Sequence, residues 1–456
     1  MPQIDLQAAI DKARFGRLHA SILCWCILIM VLDGYDLAIV GISLPLIMKA
    51  MQVTPFAAGV IASSSLLGMM AGSILLGSVA DRIGRRPAIV ICVLLFSVFS
   101  AAAGAAAHPV MFCAARFLAG LGLGGVAPTC AAQMTEYSPR SMRSMLVSMM
   151  FAGYSGGGVV AALLGKSLME SYGWRSIYFA AAVPVLLIPV LWRTLPESLA
   201  FLLSKSKDSE IRKLVGRLVP GFALQPGDTF VMPKDEAGSG ARLSTLFKEG
   251  RALSTLMFWV TCITNLFMVY GLSSWLTKLM ASAGYSLGSA LTFVLAMNVG
   301  AVVGAIGGGW LADRLNIRYV LVSMYLLAAV AIAMLGYQAP AGLLYLVVAV
   351  AGACTIGTQI VVYAYAGQFY PASVRSTGVG WAAGIGRLGA VFGPILIGVI
   401  VGLALPLRYN FFAMAIPAVI GAIAVGLIND SLAAYATRAP DASESGELEA
   451  FGEQGV

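Results

Sequence analysis

The sequence predicts an all-α membrane protein of twelve transmembrane helices arranged as two pseudo-symmetric six-helix bundles. Three observations predict it. The composition is 59% hydrophobic and 11% charged, with a mean hydropathy of +0.87, which describes a chain whose main solvent is lipid. Twelve apolar runs can be counted, each long enough to cross a hydrocarbon core of roughly 30 Å as a helix. The chain also repeats itself. Asp81-Arg82 recurs 232 residues on as Asp313-Arg314, each aspartate four residues after a glycine (Gly77, Gly309). The same offset carries Pro139, Arg143 and Ser144 onto Pro371, Arg375 and Ser376. Two loops recurring in one register between apolar segments are the mark of a secondary transporter built from two similar halves.

The elements follow in order. Residues 1–18 of the N-terminal segment (1–20) are polar, with Asp5 and Asp11, and the first apolar run is full length, so no cleaved signal is expected there. Six runs begin near Ser21, Phe56, Pro87, Pro109, Met145 and Trp174 and make an N-terminal bundle over residues 21–198. A polar linker over 199–252, with Ser/Lys and Pro/Gly stretches, is read as a tether. Six more runs, near Leu253, Ser286, Tyr319, Leu343, Thr377 and Tyr409, make a C-terminal bundle over 253–430. Residues 431–456 form an acidic tail with Asp441, Glu444, Glu447, Glu449 and Glu453, expected to be disordered.

Lys and Arg in short loops mark the cytoplasmic side. One side carries Arg82, Arg85, Arg86, Arg140, Arg143, Arg314, Arg318 and Arg375; the other has Lys49, Lys166, Arg175, Lys278 and Arg408. The bias, strengthened by Lys12, Arg14 and Arg17 and by the basic residues of the linker, puts both termini and the linker in the cytoplasm.

Several function classes are excluded. The seven cysteines are scattered within apolar runs with no C-x-x-C pair, so neither a metal nor a disulfide framework is expected. His19 and His108 stand at helix ends and offer no catalytic constellation. The net charge of +8 comes from loop residues obeying topology, without a basic stripe for nucleic acid. Gly120-x-Gly122-x-x-Gly125 matches a dinucleotide fingerprint, but it lies inside an apolar helix, where small residues allow close approach. No cofactor and no enzymatic activity are expected, and the chain is read as a monomer in a lipid bilayer.

Ionisable residues inside the membrane point to function, because each is costly in hydrocarbon unless paired or hydrated. They are Asp33 and Asp36 in helix one, Arg116 in helix four and Arg387 in helix eleven, and their charges sum to zero. Asp33 and Asp36 are spaced i, i+3 on one side of the helix, and Arg116 reaches a depth similar to that of Asp36, which suggests a pair. The repeat supplies a control: the offset carries Asp33 to Asn265, Asp36 to Met268, Arg116 to Val348 and Arg387 back to Ser155. The scaffold was duplicated and the charges were not, which favours function over packing: proton coupling by Asp33, Asp36 and Arg116, with Arg387 as a fixed cation.

The loop Gly77-Ser-Val-Ala-Asp81-Arg82-Ile-Gly84-Arg85-Arg86 lies between helices two and three. It resembles the signature loop of the major facilitator superfamily. Arg116-x-x-x-Gly120-x-Gly122, a glycine-rich helix five and Leu195-Pro196-Glu197-Ser198 strengthen the resemblance, which covers nearly the whole chain. The major facilitator fold is therefore implied. Asp81 can accept hydrogen bonds from a helix N-terminus of the other half, and the arginines can pair with Glu136, latching one conformation. A gating role is read for Gly77, Asp81, Arg82, Gly84, Arg85, Arg86, Glu136 and Arg143, and for the second copy Asp313, Arg314 and Arg375. That copy has Asn316 and Ile317 where Gly84 and Arg85 stand, which predicts a weaker latch.

Asp33-Gly34-Tyr35-Asp36, Tyr370-Pro371-x-x-x-Arg375 and Gly380-Trp381-Ala-Ala-Gly384-Ile-Gly386-Arg387-Leu-Gly389 narrow the resemblance to the aromatic acid:proton symporters. The resemblance implies import of a small aromatic carboxylate with protons across a bacterial inner membrane, with functional roles for Asp33, Asp36, Arg116 and Arg387. The planar fork of Arg387 suits a carboxylate, and protonating an aspartate would restore neutrality when the anion enters. All four groups are expected to face one water-filled chamber. Ring walls are expected from Tyr35, Tyr154, Tyr270, Tyr363 and Trp381; Asn298 and Gln359 could bind a ring hydroxyl or join helices. Carriage of another organic anion, drug export and a nontransporting receptor are the competing readings.

Overall fold

The computed structural model describes residues 3–11, 13, 15–139, 141–218, 229–231, 243–371 and 374–433. Arg140 and most of the acidic tail lie outside the described residues, as do the side chains of Asp81, Ser144 and Ser376. Among the described residues twelve helices are long and apolar enough to span a membrane. They are α1 (Arg17–Met51), α2 (Pro55–Ile83), α3 (Arg85–Ala105), α4 (Pro109–Tyr137), α5 (Arg143–Tyr172) and α6 (Arg175–Thr194). The second six are α7 (Ala252–Ser282), α8 (Leu287–Arg314), α9 (Ile317–Met334), α10 (Ala341–Phe369), α11 (Arg375–Gly402) and α12 (Leu407–Leu427). Their starts fall within four residues of those expected, because local chemistry punctuates them. Thr54 caps α2 by accepting from the Ala57 N–H ahead of Pro55 at the first turn, and Ser286 and Asn316 cap α8 and α9 in the same way.

Glycines set how closely the helices approach. A Cβ on Gly120 or Gly124 of α4 would run into the backbone of α2, and one on Gly157 of α5 would meet that of α1. In lipid no hydrophobic force drives helix association, so this close backbone packing is what holds the helices together. The repeat is visible in the partners: α2 packs on α4 and α1 on α5, while α8 packs on α10 and α7 on α11.

The halves touch along α1 with α7, α2 with α11 and α5 with α8. The contacts lie toward the ends remote from the Gly77–Arg86 loop. Ser63 donates to the Val391 carbonyl at 2.6 Å and Trp275 Nε1 to the Pro394 carbonyl at 2.9 Å. Gly59 abuts Pro394, Gly41 abuts Ser273, and Gly398 abuts Pro55. Nearer the signature loop the same helices part. Gly77 of α2 and Gly380 and Gly384 of α11 have no heavy atom within 4 Å of where a Cβ would stand. The crevice between the halves is thus sealed at the far end and open at the loop end.

Outside the spans, strand β1 (Gln3–Asp5) pairs in parallel with β2 (Thr229–Val231), and Leu6, Leu202, Ile211, Val215 and Phe230 form a small core beneath them. The linker is therefore folded onto the first half in part, rather than being a plain tether.

Candidate functional site

Asp36 and Arg116 form a closed unit inside the first half. Arg116 Nη1 lies 3.0 and 2.8 Å from the two carboxylate oxygens of Asp36, and its Nη2 donates to the Asp36 backbone carbonyl at 3.0 Å. Ser100 of α3 accepts from Nη1 at 2.9 Å and donates to the Asp36 carboxylate. Both charged residues are 0% exposed, and the guanidinium lies 5.8 Å from the Tyr178 ring centroid. A buried pair is tolerable when its other lone pairs and protons are taken up, as Ser100 and the backbone do here for all but the Arg116 Nε. Four helices, α1, α3, α4 and α6, surround the pair.

Asp33 lies differently. It is 2% exposed, and its Oδ1 has no hydrogen-bond partner. Residues i and i+3 on a helix are rotated by about 60° from one another. That rotation turns Asp36 into its own bundle; Asp33 stands next to Gly34, which lines a cavity between the halves, but is itself in neither cavity lining. The expectation of one chamber shared by all four charges is therefore corrected: Asp36 and Arg116 are sealed away inside the first half, Asp33 is buried next to a cavity-lining residue, and Arg387 alone of the four lines a cavity.

Two adjoining cavities lie between the halves. One is lined by Gly34, Tyr154, Tyr270, Ser273 and Asn298, with Leu66 at its edge. The other, bounded by the same Leu66 and Tyr270, holds Arg387 with Leu266, Gln359 and Tyr363. Ala383 and Ala390, about one turn before and after Arg387 on α11, line this cavity too and leave space over the guanidinium. Arg387 makes no hydrogen bond or ion pair among the described residues. A half-buried arginine that makes no ion pair, between leucine walls and tyrosine hydroxyls, is a place for an organic anion.

Of the expected ring walls, Tyr154, Tyr270 and Tyr363 line these cavities. Tyr35 does not: it is buried in the first half, where its hydroxyl donates to the Ile177 carbonyl at 2.6 Å. Trp381 does not either. It is 43% exposed and stacks on Trp259 with ring centroids 6.3 Å apart, on a face of α11 turned away from Arg387. Asn298 donates to the Val294 carbonyl of its own helix at 2.9 Å and presses on Gly158 of the opposite half.

The signature loop is braced within its own half. Arg85 pairs with Glu136 and donates to the Ala132 carbonyl at 3.0 Å. Glu136 also accepts from Ser198 Oγ and, at 2.8 Å, from the Ala200 N–H. Glu197 accepts from the Arg86 N–H at 3.2 Å, and Tyr137 donates to its carbonyl. Gly84 sits at φ +99°, where a Cβ would strike the Glu197 carboxylate. Gly77 and Arg82 lie on the open or exposed surface. Arg143 reaches Asp11 at 3.9 Å. In the second copy Asp313 and Arg314 are exposed, with Arg314 4.3 Å from the Trp310 ring centroid, and Arg375 donates to the Tyr370 carbonyl at 3.4 Å. Arg85 meets Glu136 as expected, and the described contacts of the loop arginines and Glu136 stay within the first half and the start of the linker; the expected reach of Asp81 to the other half falls on a side chain outside the described residues.

Sequence reasoning missed Ser100, Tyr178 and the leucine walls, and it missed a second brace: Asp430 near Arg318, accepting from Tyr365. A serine in an apolar helix three, at a depth similar to that of Arg116, was the available signal for Ser100. The second brace had a signal too, since Arg318 stands 232 residues after Arg86.

Comparison with known proteins adds the following. The model of the Major Facilitator Superfamily matches residues 26–355 and, overlapping, 298–448. A "Benzoate transport protein" of Acinetobacter baylyi is 42% identical, over 94% of this chain and 93% of that one. A "Gallate transporter" of Pseudomonas putida is 34% identical, over 92% of this chain and 94% of that one. Among solved structures, a bacterial homologue of the human lysosomal transporter Spinster, in an inward-facing conformation, superposes with a TM-score of 0.72 at 18% identity, covering 91% of this chain and 98% of that one. A D-xylose-proton symporter does so with a TM-score of 0.69 at 19% identity, covering 90% and 97%.

Proposed function

The chain belongs to the Major Facilitator Superfamily, and from that premise we propose that it is a proton-coupled carrier importing a small aromatic carboxylate by alternating access. It is a multi-pass membrane transporter and not an enzyme. The observation that carries the substrate reading is Arg387, a cation that makes no ion pair among the described residues, in a cavity between the halves walled by leucines, tyrosines and an amide. Relatives that transport benzoate and gallate support an aromatic acid as its anion.

The working charges are Asp33 and Arg387, because Asp36 and Arg116 neutralise each other elsewhere. An entering carboxylate binds the guanidinium through paired N–H···O bonds and cancels its charge. Asp33, with one oxygen unpartnered, then takes up a proton, and the occupied site is neutral again. Anion and proton therefore cross together at less cost than either alone. Asp36 and Arg116 act as the fixed brace of the half that carries Asp33. Tyr154, Tyr270 and Tyr363 supply ring contacts and hydroxyl donors. The loops around Asp81, Arg85, Glu136 and Asp313 set the balance between conformations.

The two bodies are residues 21–198 and 253–430, joined by 199–252, in a monomer of a bacterial inner membrane. With the arginine-rich loops in the cytoplasm, the open end of the crevice faces inward. Proteoliposomes loaded at higher internal pH test the reading: labelled benzoate should accumulate above the external level and stop doing so when a protonophore is added. Accumulation that is unaffected by the protonophore, or competed by aliphatic diacids and not by benzoate-like acids, would overturn it.

A further inference from the structure

Gln359 of α10 shares the Arg387 cavity, which the amides that tie helices together do not. Asn265 ties α7 to α10 by donating to the Thr355 carbonyl at 3.1 Å, and Gln133 ties α4 to the end of the sixth span through the Pro196 carbonyl at 2.8 Å. Gln359 joins no helices. Its Nε2 donates at 3.4 Å to the hydroxyl of Tyr363, one turn along the same helix, and its carbonyl oxygen has no partner among the described residues. Gln359 is half-buried on the cavity wall rather than sealed in the core, so that oxygen is available to an occupant.

A carboxylate accepts hydrogen bonds and cannot give one, and Arg387 with Tyr270 already supplies its donors. An acceptor oxygen beside them repels an anion, but it suits an occupant that also carries an O–H. We propose that Gln359, held by Tyr363, is a specificity residue that accepts a hydrogen bond from a ring hydroxyl, so that the preferred cargo is a hydroxylated benzoate rather than benzoate itself. This rests on the aromatic-acid reading above. A site that hydrogen-bonds a substrate hydroxyl discriminates against the analogue lacking it, because its own polar group is then left unpaired.

The experiment measures KM for benzoate, 3-hydroxybenzoate and 4-hydroxybenzoate in proteoliposomes of the wild-type chain, Gln359→Leu, Gln359→Met and Tyr363→Phe. The wild-type chain should favour at least one hydroxybenzoate over benzoate. The ratio of the two KM values should fall about tenfold in both Gln359 variants. It should fall less in Tyr363→Phe, which frees the amide to turn. Should Gln359→Leu fail to fold, Gln359→Met, close in shape, carries the same comparison. A ratio that does not move, or KM values that rise in parallel for all three acids, overturns the proposal. If the wild-type chain carries none of the three acids, it is the aromatic-acid reading that fails.

Discussion

Arg116 grips Asp36 twice, through the carboxylate and through the backbone carbonyl of the same residue, so that one guanidinium fixes both a side chain and the helix that bears it. Removing one partner strands a charge in a dry core. Arg116→Leu or Asp36→Leu should each lower stability by about 3–5 kcal/mol, read as a drop in melting temperature of the detergent-solubilised protein. The double variant should recover more than half of that loss, as a double-mutant cycle would register. Additive losses would mean that the two residues act separately.

Asp33→Asn keeps the volume of the side chain and removes its titration. Uphill accumulation should be lost, while exchange of labelled for unlabelled substrate at equal concentrations persists. Accumulation at the wild-type level by Asp33→Asn would remove Asp33 from proton coupling.

Arg387→Lys retains the charge and loses the planar fork. KM should rise on the order of tenfold, with the maximal rate less affected, because paired N–H···O geometry is given up while attraction remains. Arg387→Gln, which also loses the charge, should raise it further. Uptake kinetics over a concentration series separate the two.

One anion balanced by one proton makes transport electroneutral. Accumulation should follow the pH gradient and ignore a potassium diffusion potential set with valinomycin. A potential that drives uptake with no pH gradient would require a second proton.

Gly158 lets Asn298 of the other half press against its backbone. Gly158→Val should wedge the sealed end apart. A cysteine placed at Ser273, beside Gly41, should then react faster with a membrane-impermeant maleimide, and one at Gly380 near the loop end more slowly.

Much of this architecture was legible in the sequence, since apolar length, the paired loops and the capping residues are local signals. Pro109 begins its helix where expected, and Arg116 meets Asp36 because their depths match. Rotation about a helix axis was not legible. When nearly every position is apolar, no polar stripe shows which side faces a partner, a cavity or lipid. Tyr35 and Trp381 were accordingly placed at the cavity wrongly. Asp33 and Asp36 were assigned to a single chamber because spacing gives proximity but does not settle the 60° between them. The brace at Asp430 was missed because the repeat carries Glu197 onto Asn429, one residue short of the acid.

The seam that closes the far end is built from glycine edges, a serine hydroxyl and an indole N–H, and among the described residues no ion pair bridges the two halves. Parting it therefore strands no charge, and dissolved ions have nothing there to screen. The rate at which this face opens should be indifferent to ionic strength, which would let the carrier cycle alike in dilute and in saline surroundings.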